Sequence, residues 1–324
     1  MRGDPASDCR PDHAAKSDEA PGLAIIPAID LDTATVVAEP EDPRPGAWAG
    51  APRALWADGA VHLAYRLRRP VGEGRGIANV VARSEDGEHF RTVAVVHQDR
   101  FDGDSLERPA LLRTQEGRWR LYVSVATPRT KHWRVEVLEA DRIEDLPAAP
   151  SRNVMPGAPH VAVKDPVLVV AGGQWHAWVS CHPLDDPLAT DRMTTEYATS
   201  PDGIHWTWHG TALATRPGSW DARGTRVSAV LIDGGATLFW YDGRATANQN
   251  WEERTGLAVR QDEWPRLAPV GDSPVLISPH SPHGLRYLSA LRLPDGTVRA
   301  YFEMTRRDGA HDLRTVLLPG LVRA

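Results

Sequence analysis

The stretch PVLVVAGGQWHAWVS (residues 166–180) decides the fold, because the chain contains four more stretches of the same design. Each begins with Pro or Ser, continues as an apolar run, turns at a glycine and ends in a second apolar run. Two β-strands joined by a tight, glycine-containing turn have this pattern. The other copies are PRALWADGAVHLAYR (52–66), PALLRTQEGRWRLYVS (109–124), SAVLIDGGATLFWYD (228–242) and SALRLPDGTVRAYFE (289–303).

The spacing of these hairpins predicts how they assemble. Their first residues lie 57, 57, 62 and 61 residues apart along the 324-residue chain. A hairpin that cannot bury both faces alone, repeated at a nearly constant period, is typical of a β-propeller with one blade per repeat. The sequence therefore predicts an all-β, five-bladed β-propeller, with blades at residues 48–98, 99–150, 151–213, 214–275 and 276–324.

The N-terminal part of the chain has two expected roles. Residues 1–22 alternate charged residues with Ala and Pro, so we expect a disordered tail there and a single propeller domain over residues 23–324. Residues 22–40 are apolar and β-branched. A strand from this segment is expected to complete the last blade and close the ring.

Composition and charge argue against several classes of protein. With 41% hydrophobic and 25% charged residues, the chain has the composition of an ordinary soluble domain. Its formal net charge of −6 argues against a nucleic-acid partner. No apolar run approaches the roughly 18 residues of a membrane-spanning helix, and the N-terminal segment lacks the apolar core of a secretory signal. We therefore expect a cytoplasmic protein without a membrane partner.

Two sets of side chains should meet at one end of the central tunnel, because the innermost strands of a propeller surround its axis. The first set precedes the inner strands, and the second follows each turn glycine by seven residues. The first set is Gly50-Ala51, Glu107-Arg108, Lys164-Asp165, Arg226-Val227 and Tyr287-Leu288, and the second is Arg66, Ser124, Ser180, Asp242 and Glu303.

Three motifs carry a resemblance to known enzymes across nearly the whole chain after residue 45. They are the triplets Glu107-Arg108-Pro109 and Lys164-Asp165-Pro166, the run ATSPDGIHW (198–206), and SWDARGTRVSAVLIDGGATLFWYDGRA (219–245). In these motifs the chain resembles the five-bladed propeller glycoside hydrolases of families 43, 32, 62 and 68 and the related family 130 phosphorylases. The resemblance implies an enzyme that cleaves a glycosidic bond in a small-molecule or carbohydrate substrate.

The resemblance also implies where the catalytic acids should lie. The related hydrolases take a base from blade one, an acid that tunes the pKa from blade two and a proton donor from blade three. Here Gly50 and Ala51 occupy the blade-one position, so the usual set of acids is incomplete. The predicted catalytic residues are the carboxylates of the two sets, namely Asp165, Glu107, Asp242 and Glu303.

Cationic side chains surround the position of the missing base, and YRLRRPVGEGRG (65–76) adds further arginines at the same end. Family 130 phosphorylases hold inorganic phosphate with Arg and Lys and need no enzyme base. The resemblance therefore accounts for both the cationic side chains and the missing base. The predicted substrate-binding residues are Arg66, Arg108, Lys164, Arg226 and Arg244, with Trp48 and Trp220 for stacking on a sugar. No cofactor is predicted, although a structural cation in the tunnel would have His283 as its candidate ligand.

Several functions are compatible with this sequence. The leading one is cleavage of a small, sugar-like and anionic substrate, by hydrolysis or by phosphorolysis. Because Gly50 and Ala51 replace the hydrolytic carboxylate, the alternative is a non-hydrolytic propeller. This alternative covers a cyclase, lyase or isomerase of specialised metabolism, and also a sugar-binding protein.

Overall fold

Antiparallel sheets follow one another along the chain and contain its five hairpin repeats. The computed structural model describes residues 24–25, 29–233, 236–261, 264–318 and 322–323, so the tail expected over residues 1–22 lies outside the described residues. Three sheets have four strands each, and an eight-stranded sheet consists of two blades joined at a single parallel bridge between Trp48 and His311. The predicted all-β, five-bladed propeller is confirmed.

The strands are numbered along the chain, and the blades are numbered from the first repeat. Before blade one lie β1 (Ala24–Ile25) and β2 (Thr35–Ala38). Blade one has β3 (Trp48–Ala57), β4 (Ala60–Arg68), β5 (Gly76–Ser84) and β6 (Arg91–His97), and blade two has β7 (Ala110–Arg113), β8 (Trp119–Ala126), β9 (Trp133–Ala140) and β10 (Ser151–Met155). Blade three has β11 (Val161–Ala171), β12 (Gln174–Pro183), β13 (Thr194–Ser200) and β14 (Thr207–Leu213).

Blade four has β15 (Gly224–Asp233), β16 (Ala236–Arg244), β17 (Arg254–Arg260) and β18 (Leu267–Val270), and blade five has β19 (Leu285–Arg292), β20 (Val298–Thr305) and β21 (His311–Leu318), with β22 (Val322–Arg323) after it. Short 3-10 helices lie at Leu31–Thr33, Gln98–Arg100, Ile143–Ala148 and Ala247–Gln249. Within the described ranges, no helix has the length and apolar character needed to cross a membrane.

One blade limit differs from the sequence prediction. The sequence analysis starts blade three at Ser151, but β10 pairs with β9 and is therefore the outer strand of blade two. After the short helix at Ile143–Ala148 the chain turns back along β9, and blade three begins with β11 at Val161.

The ring is closed by a strand from the N-terminal part of the chain. Strand β2 pairs antiparallel with β21, with Thr35 opposite Thr315, and so supplies the outermost strand of blade five. This confirms the closing role predicted for residues 22–40. Strands β1 and β22 pair separately in a two-stranded sheet.

A bulge near the start of the inner strands fixes which side chains meet at the axis. In blades one, three and five the backbone enters the left-handed region, with φ of 54° at Ala51, 55° at Asp165 and 57° at Tyr287. The register of each inner strand slips at the same point. L-residues seldom adopt this conformation, and such bulges redirect side chains. The residue before the bulge then pairs with a second-set residue, as Lys164 does with Ser180.

The alignment of blade five is corrected by one residue. The sequence analysis places Tyr287-Leu288 in the first set, whereas Arg286 pairs with Glu303 and takes the leading position. The loop between β19 and β20 spans residues 293–297, which is longer than the two-residue loop between β3 and β4. Counting back from the turn glycine therefore places the first-set residues of blade five one residue too far along the chain.

Val37 tests the contribution of the closing strand. Its side chain packs against the apolar cluster of blades one and five, whereas Val36 on the opposite face is 40% exposed. Val37→Ala should lower the free energy of unfolding by about 1–2 kcal/mol, because it removes partly buried methyl groups. Val36→Ala is the matched control and should change it by less than about 0.5 kcal/mol. Equal effects in urea denaturation would contradict a packing role for β2.

Candidate active site at the tunnel mouth

Charged side chains fill the axis of the propeller. Five guanidinium groups and five carboxylates, on residues that are at most 4% exposed, form what we call the ion-pair plug. Its members are Arg66, Arg108, Arg226, Arg244, Arg286, Glu107, Asp165, Asp242, Glu253 and Glu303. Burying a charge is unfavourable unless an opposite charge and hydrogen bonds accompany it. Because the plug contains equal numbers of positive and negative groups, each buried charge can be accompanied by an opposite charge.

Glu303 fills the place of the missing blade-one acid. A Cβ atom added to Gly50 would collide with the Glu303 carboxylate, so blade one has room only for glycine there. Arg66 donates to Oε2 of Glu303 (3.0 Å) and Arg286 donates to Oε1 (2.8 Å). Although burial opposes it, these guanidinium groups hold the pKa of Glu303 well below its usual range. Glu303 is therefore ionised and cannot donate a proton.

Asp165 and Asp242 are held together through Arg226. Its Nε (3.0 Å) and Nη2 (2.8 Å) donate to Asp242, and its Nη1 donates to Asp165 (3.3 Å). Burial raises the pKa of Asp242 while Arg226 lowers it, and the net direction is upward. Burial also acts on Asp165, but Lys164 and Arg226 hold the pKa of this carboxyl below its ordinary value. Both side chains are fully buried, so neither reaches the mouth.

Glu107 differs from the other predicted acids in its exposure. Its side chain is 5% exposed, whereas those of Asp165, Asp242 and Glu303 are 0% exposed. The Oε2 atom of Glu107 accepts a hydrogen bond from Arg66. Among the four predicted catalytic residues, Glu107 is thus the one whose side chain keeps some exposed area.

Three of the predicted substrate-binding arginines are hydrogen-bonded within the protein. Arg108 donates to the carbonyl oxygens of Pro52 (2.9 Å) and Leu288 (3.3 Å), which tie the inner strands together. Arg244 donates to Glu253 and to a backbone carbonyl, and Arg226 is paired as described above. All three guanidinium groups are therefore bound within the protein, while Nη1 of Arg108 and Nε of Arg244 have no hydrogen-bond partner among the described residues. Arg66 is likewise held by two carboxylates.

The two predicted stacking rings also have structural roles. Trp48 is 2% exposed and stacks on His311, with ring centroids 4.7 Å apart. Trp220 stacks on Tyr241 (5.4 Å) and lies against Gly243 in blade four. Trp48 is therefore not available for a sugar, whereas Trp220 is partly buried.

The candidate metal ligand His283 is bound locally. Its Nδ1 atom lies 2.9 Å from the carbonyl oxygen of Ser278. In the described part of the chain, no group of three or more His, Cys, Asp or Glu side chains is placed to hold a metal ion. The carboxylates at the axis, which could otherwise serve as oxygen ligands, are paired with guanidinium groups.

Arg68 is the most unusual cation at the mouth. Its guanidinium lies 3.7 Å above the Trp48 ring, and Nη1 makes only a long contact of 3.5 Å with the carbonyl oxygen of Gly46. Its Nε and Nη2 atoms are buried and have no hydrogen-bond partner among the residues that the structure describes. Burial, together with Arg66, Arg286 and other cations, lowers the pKa of Arg68. A buried cation with unused donors is uncommon, since buried polar groups in proteins are normally hydrogen-bonded.

Arg75 and Lys164 lie beside Arg68 and extend the same surface. The Lys164 ammonium is 4.9 Å and the Arg75 guanidinium 5.6 Å from the centre of the Trp133 ring. Burial lowers the pKa of Lys164 to about 8. Repulsion from Arg75 contributes to the lowered pKa of both Arg68 and Lys164, so Arg75 acts on each of the other two cations. We call Arg68, Arg75 and Lys164 the cationic mouth.

Three members of this region were missed by the sequence analysis. Glu253 binds Arg286 (2.7 Å) and Arg244, and His311 lies 2.8 Å from Glu303. Glu253 and His311 lie at the starts of the third strands of their blades, outside the hairpin repeats. Arg286 was missed because of the one-residue shift in blade five. A search extended to the third strand of each repeat could have found Glu253 and His311.

Glu253 tests whether the plug depends on its charge balance. Glu253→Gln should lower the free energy of unfolding by about 3–5 kcal/mol, because Arg244 and Arg286 lose a buried carboxylate. The matched control is Glu39→Gln, which breaks an exposed pair with Arg306 and should cost less than about 1 kcal/mol. Chemical denaturation of both variants measures the difference. A loss below about 1 kcal/mol for Glu253→Gln would contradict the proposed balance.

Comparison with known proteins adds a fold relationship to this geometry. The sequence matches no protein-family model and no curated protein. A β-1,2-mannobiose phosphorylase from Listeria innocua, solved with β-1,2-mannobiose, is 15% identical over 90% of this chain and 96% of its own, with a TM-score of 0.61. Sucrose-6-phosphate hydrolase from Lactobacillus gasseri is 12% identical over 88% of this chain and 60% of its own, with a TM-score of 0.66.

A thermostable family-43 glycoside hydrolase is also similar, at 13% identity over 89% of this chain and 97% of its own, with a TM-score of 0.63. At these identities the similarity concerns the fold and not the reaction. The chain therefore has the five-bladed propeller fold of glycoside hydrolases and glycoside phosphorylases.

Proposed function

We propose that this propeller cleaves a glycosidic bond in a small sugar-like substrate by phosphorolysis, with inorganic phosphate bound at the cationic mouth. The observation that carries the proposal is Arg68, whose buried guanidinium has unused donors beside two more cations. Phosphate supplies the acceptor oxygens that these donors need. It also offsets the mutual repulsion of Arg68, Arg75 and Lys164.

Phosphate is favoured over water as the attacking group because the site offers no free base. Hydrolysis requires a carboxylate that attacks the sugar or activates water. Gly50 occupies the blade-one position, and the carboxylate that fills its space, Glu303, is bound to two guanidinium groups. A phosphate oxygen is itself the nucleophile and needs no such activation.

The reaction can be written with the groups at the mouth. A phosphate oxygen forms a bond to the anomeric carbon while the glycosidic C–O bond breaks, giving a sugar 1-phosphate. The proton of hydrogen phosphate is passed to the leaving oxygen, which becomes a hydroxyl group. Glu107 is assigned to this relay, because it is the predicted acid whose side chain has some exposure. The fold it shares with a mannobiose phosphorylase supports the reaction class.

A second function is supported by a different observation. All four predicted acids accept hydrogen bonds from guanidinium groups within the plug. Such a site suits a protein that binds an anionic sugar without cleaving it. Turnover distinguishes this candidate from a phosphorylase.

The deciding experiment is a product assay with and without phosphate. The purified protein is incubated with a panel of aryl glycosides and oligosaccharides, and released sugar and sugar 1-phosphate are measured. Phosphorolysis predicts sugar 1-phosphate only when phosphate is present. Release by water alone would contradict the assignment of phosphate as the nucleophile. Saturable binding of a phosphorylated sugar with no product would favour the binding protein.

Arg68 tests the anion site directly. Arg68→Gln should weaken the binding of inorganic phosphate, measured by calorimetry, by at least about tenfold, because a charge-assisted hydrogen bond is lost. Arg69→Gln is the matched control, since Arg69 is exposed and pairs with Glu41. It should leave the affinity within about twofold. Without phosphate, the variant Arg68→Gln should be at least as stable as the wild type, because it removes a buried, unpaired charge.

Lys164 makes the binding of an anion depend on pH. With its pKa lowered to about 8, Lys164 is charged below this pH and neutral above it. Anion affinity should therefore fall as the pH rises through about 8. Sulfate is the suitable probe because its charge is constant in this range. Lys164→Arg should keep its charge and remove the fall. A fall that persists in this variant would show that another group is responsible.

A further inference from the structure

A largely apolar cavity of about 700 Å³ lies over the end of blade three. Its walls come from the start of β11, the end of β12, the start of β13 and the loops that lead into blades three and four. The apolar side chains in these walls include Val161, Val163, Cys181, Pro183 and Met193. Cavities of this volume with apolar walls are typical of sites for small organic molecules.

His182, the polar ring in the wall, is already hydrogen-bonded. Its Nδ1 atom lies 3.3 Å from the carbonyl oxygen of Thr190, and its Nε2 atom lies 3.3 Å from the Ser180 hydroxyl. Burial, together with Lys164 and Arg244, lowers the pKa of His182 to about 3. The imidazole is therefore neutral at neutral pH and has little capacity to bind a further polar group.

Arg223 and Cys181 also contribute no free charge to the cavity. Arg223 donates to both carboxylate oxygens of Asp191 (2.9 and 2.7 Å). Burial raises the pKa of the Cys181 thiol, which stays protonated and behaves as an apolar group. A sugar ring needs hydrogen-bond partners for its hydroxyl groups. Arg192 and Glu196 also line the cavity, and Glu196 accepts a hydrogen bond from Thr211 (2.7 Å), but most of the wall is apolar and fits an apolar ring system better than a sugar.

The cavity adjoins the cationic mouth. Val163 in its wall directly precedes Lys164. Met193 in its wall contacts Arg244 of the plug, with 3.8 Å between Sδ and Nη1. The charges of Lys164 and Arg244 also act on His182. A ligand with one anionic or polar end and one apolar end would therefore span both sites.

We propose that this cavity binds the apolar, aromatic-sized aglycone of the glycoside that is cleaved at the mouth. The proposal rests on the proposed function for the position of the sugar, and it adds the chemical class of the leaving group. The preferred substrate is then a glycoside of an apolar alcohol or phenol, and not an oligosaccharide. The cationic mouth holds the phosphate, and the cavity holds the ring system.

Filling the cavity tests the proposal. Ala222 lines the cavity, and Ala222→Trp would occupy its volume. Ala214 precedes it in the same loop, is exposed and does not line the cavity, so Ala214→Trp is the matched control. The probe is 2-naphthol, a neutral bicyclic phenol, in calorimetric titrations of the full chain. We expect saturable binding by the wild type, at least about tenfold weaker binding by Ala222→Trp, and a change within about twofold for Ala214→Trp.

The same titrations separate this proposal from the proposed function. Ala222→Trp should retain phosphate binding, and Arg68→Gln should retain 2-naphthol binding. Absence of saturable 2-naphthol binding, or equal affinity in Ala222→Trp and Ala214→Trp, would overturn the aglycone site. Binding of 2-naphthol by a protein that binds no phosphate would instead overturn the proposed function and leave the cavity as an apolar site. Unfolding transitions of the variants check that each one is folded.

Discussion

Ion pairs that cross from blade to blade fill the centre of this propeller, and the rest of the structure is arranged around them. Arg66 of blade one binds carboxylates of blades two and five. Arg226 of blade four binds Asp165 of blade three and the hydroxyl group of Tyr287 in blade five. Because each guanidinium has partners in neighbouring blades, the pairs fix the blades relative to one another. Buried pairs contribute little net stability, but breaking one leaves a charge without compensation.

The plug explains why the catalytic roles of the acids in the resembling hydrolases cannot be assigned residue by residue to this chain. A carboxylate at the axis is useful in catalysis only if a substrate can reach it and if its proton is available. Here Glu303 occupies the space that Gly50 leaves open, and it is neutralised by two arginines. In the cationic mouth, Arg68 and Arg75 have donors without a partner among the described residues, whereas Lys164 is paired with Asp165 (3.7 Å). A ligand would therefore lie over the plug and not within the tunnel.

The parts of this structure that follow from local sequence were predictable, and the parts that depend on three-dimensional pairing were not. The hairpin repeats and the closing strand follow from apolar periodicity and turn glycines, which are local signals. The sequence also predicted that Asp242 and Glu303 lie at the axis, because each follows its turn glycine by seven residues. It could not show that Arg226 and Arg286 would neutralise them. That outcome depends on the one-residue shift of the alignment in blade five and on Glu253, which lies outside the repeated hairpins.

The closing strand has a consequence for how the chain folds during its synthesis. Strand β2 emerges from the ribosome before any blade, but its partner β21 belongs to the last one. Until then β2 is an unpaired strand, and its apolar side chain Val37 lacks the blade-five part of the cluster against which it packs. Pairing across nearly the whole chain is slow to form, and exposed strands associate with other chains in the meantime. The pairing of β2 with β21, which completes the ring, is therefore among the last strand pairings that can form. A nascent chain is most vulnerable to misassembly just before blade five is made.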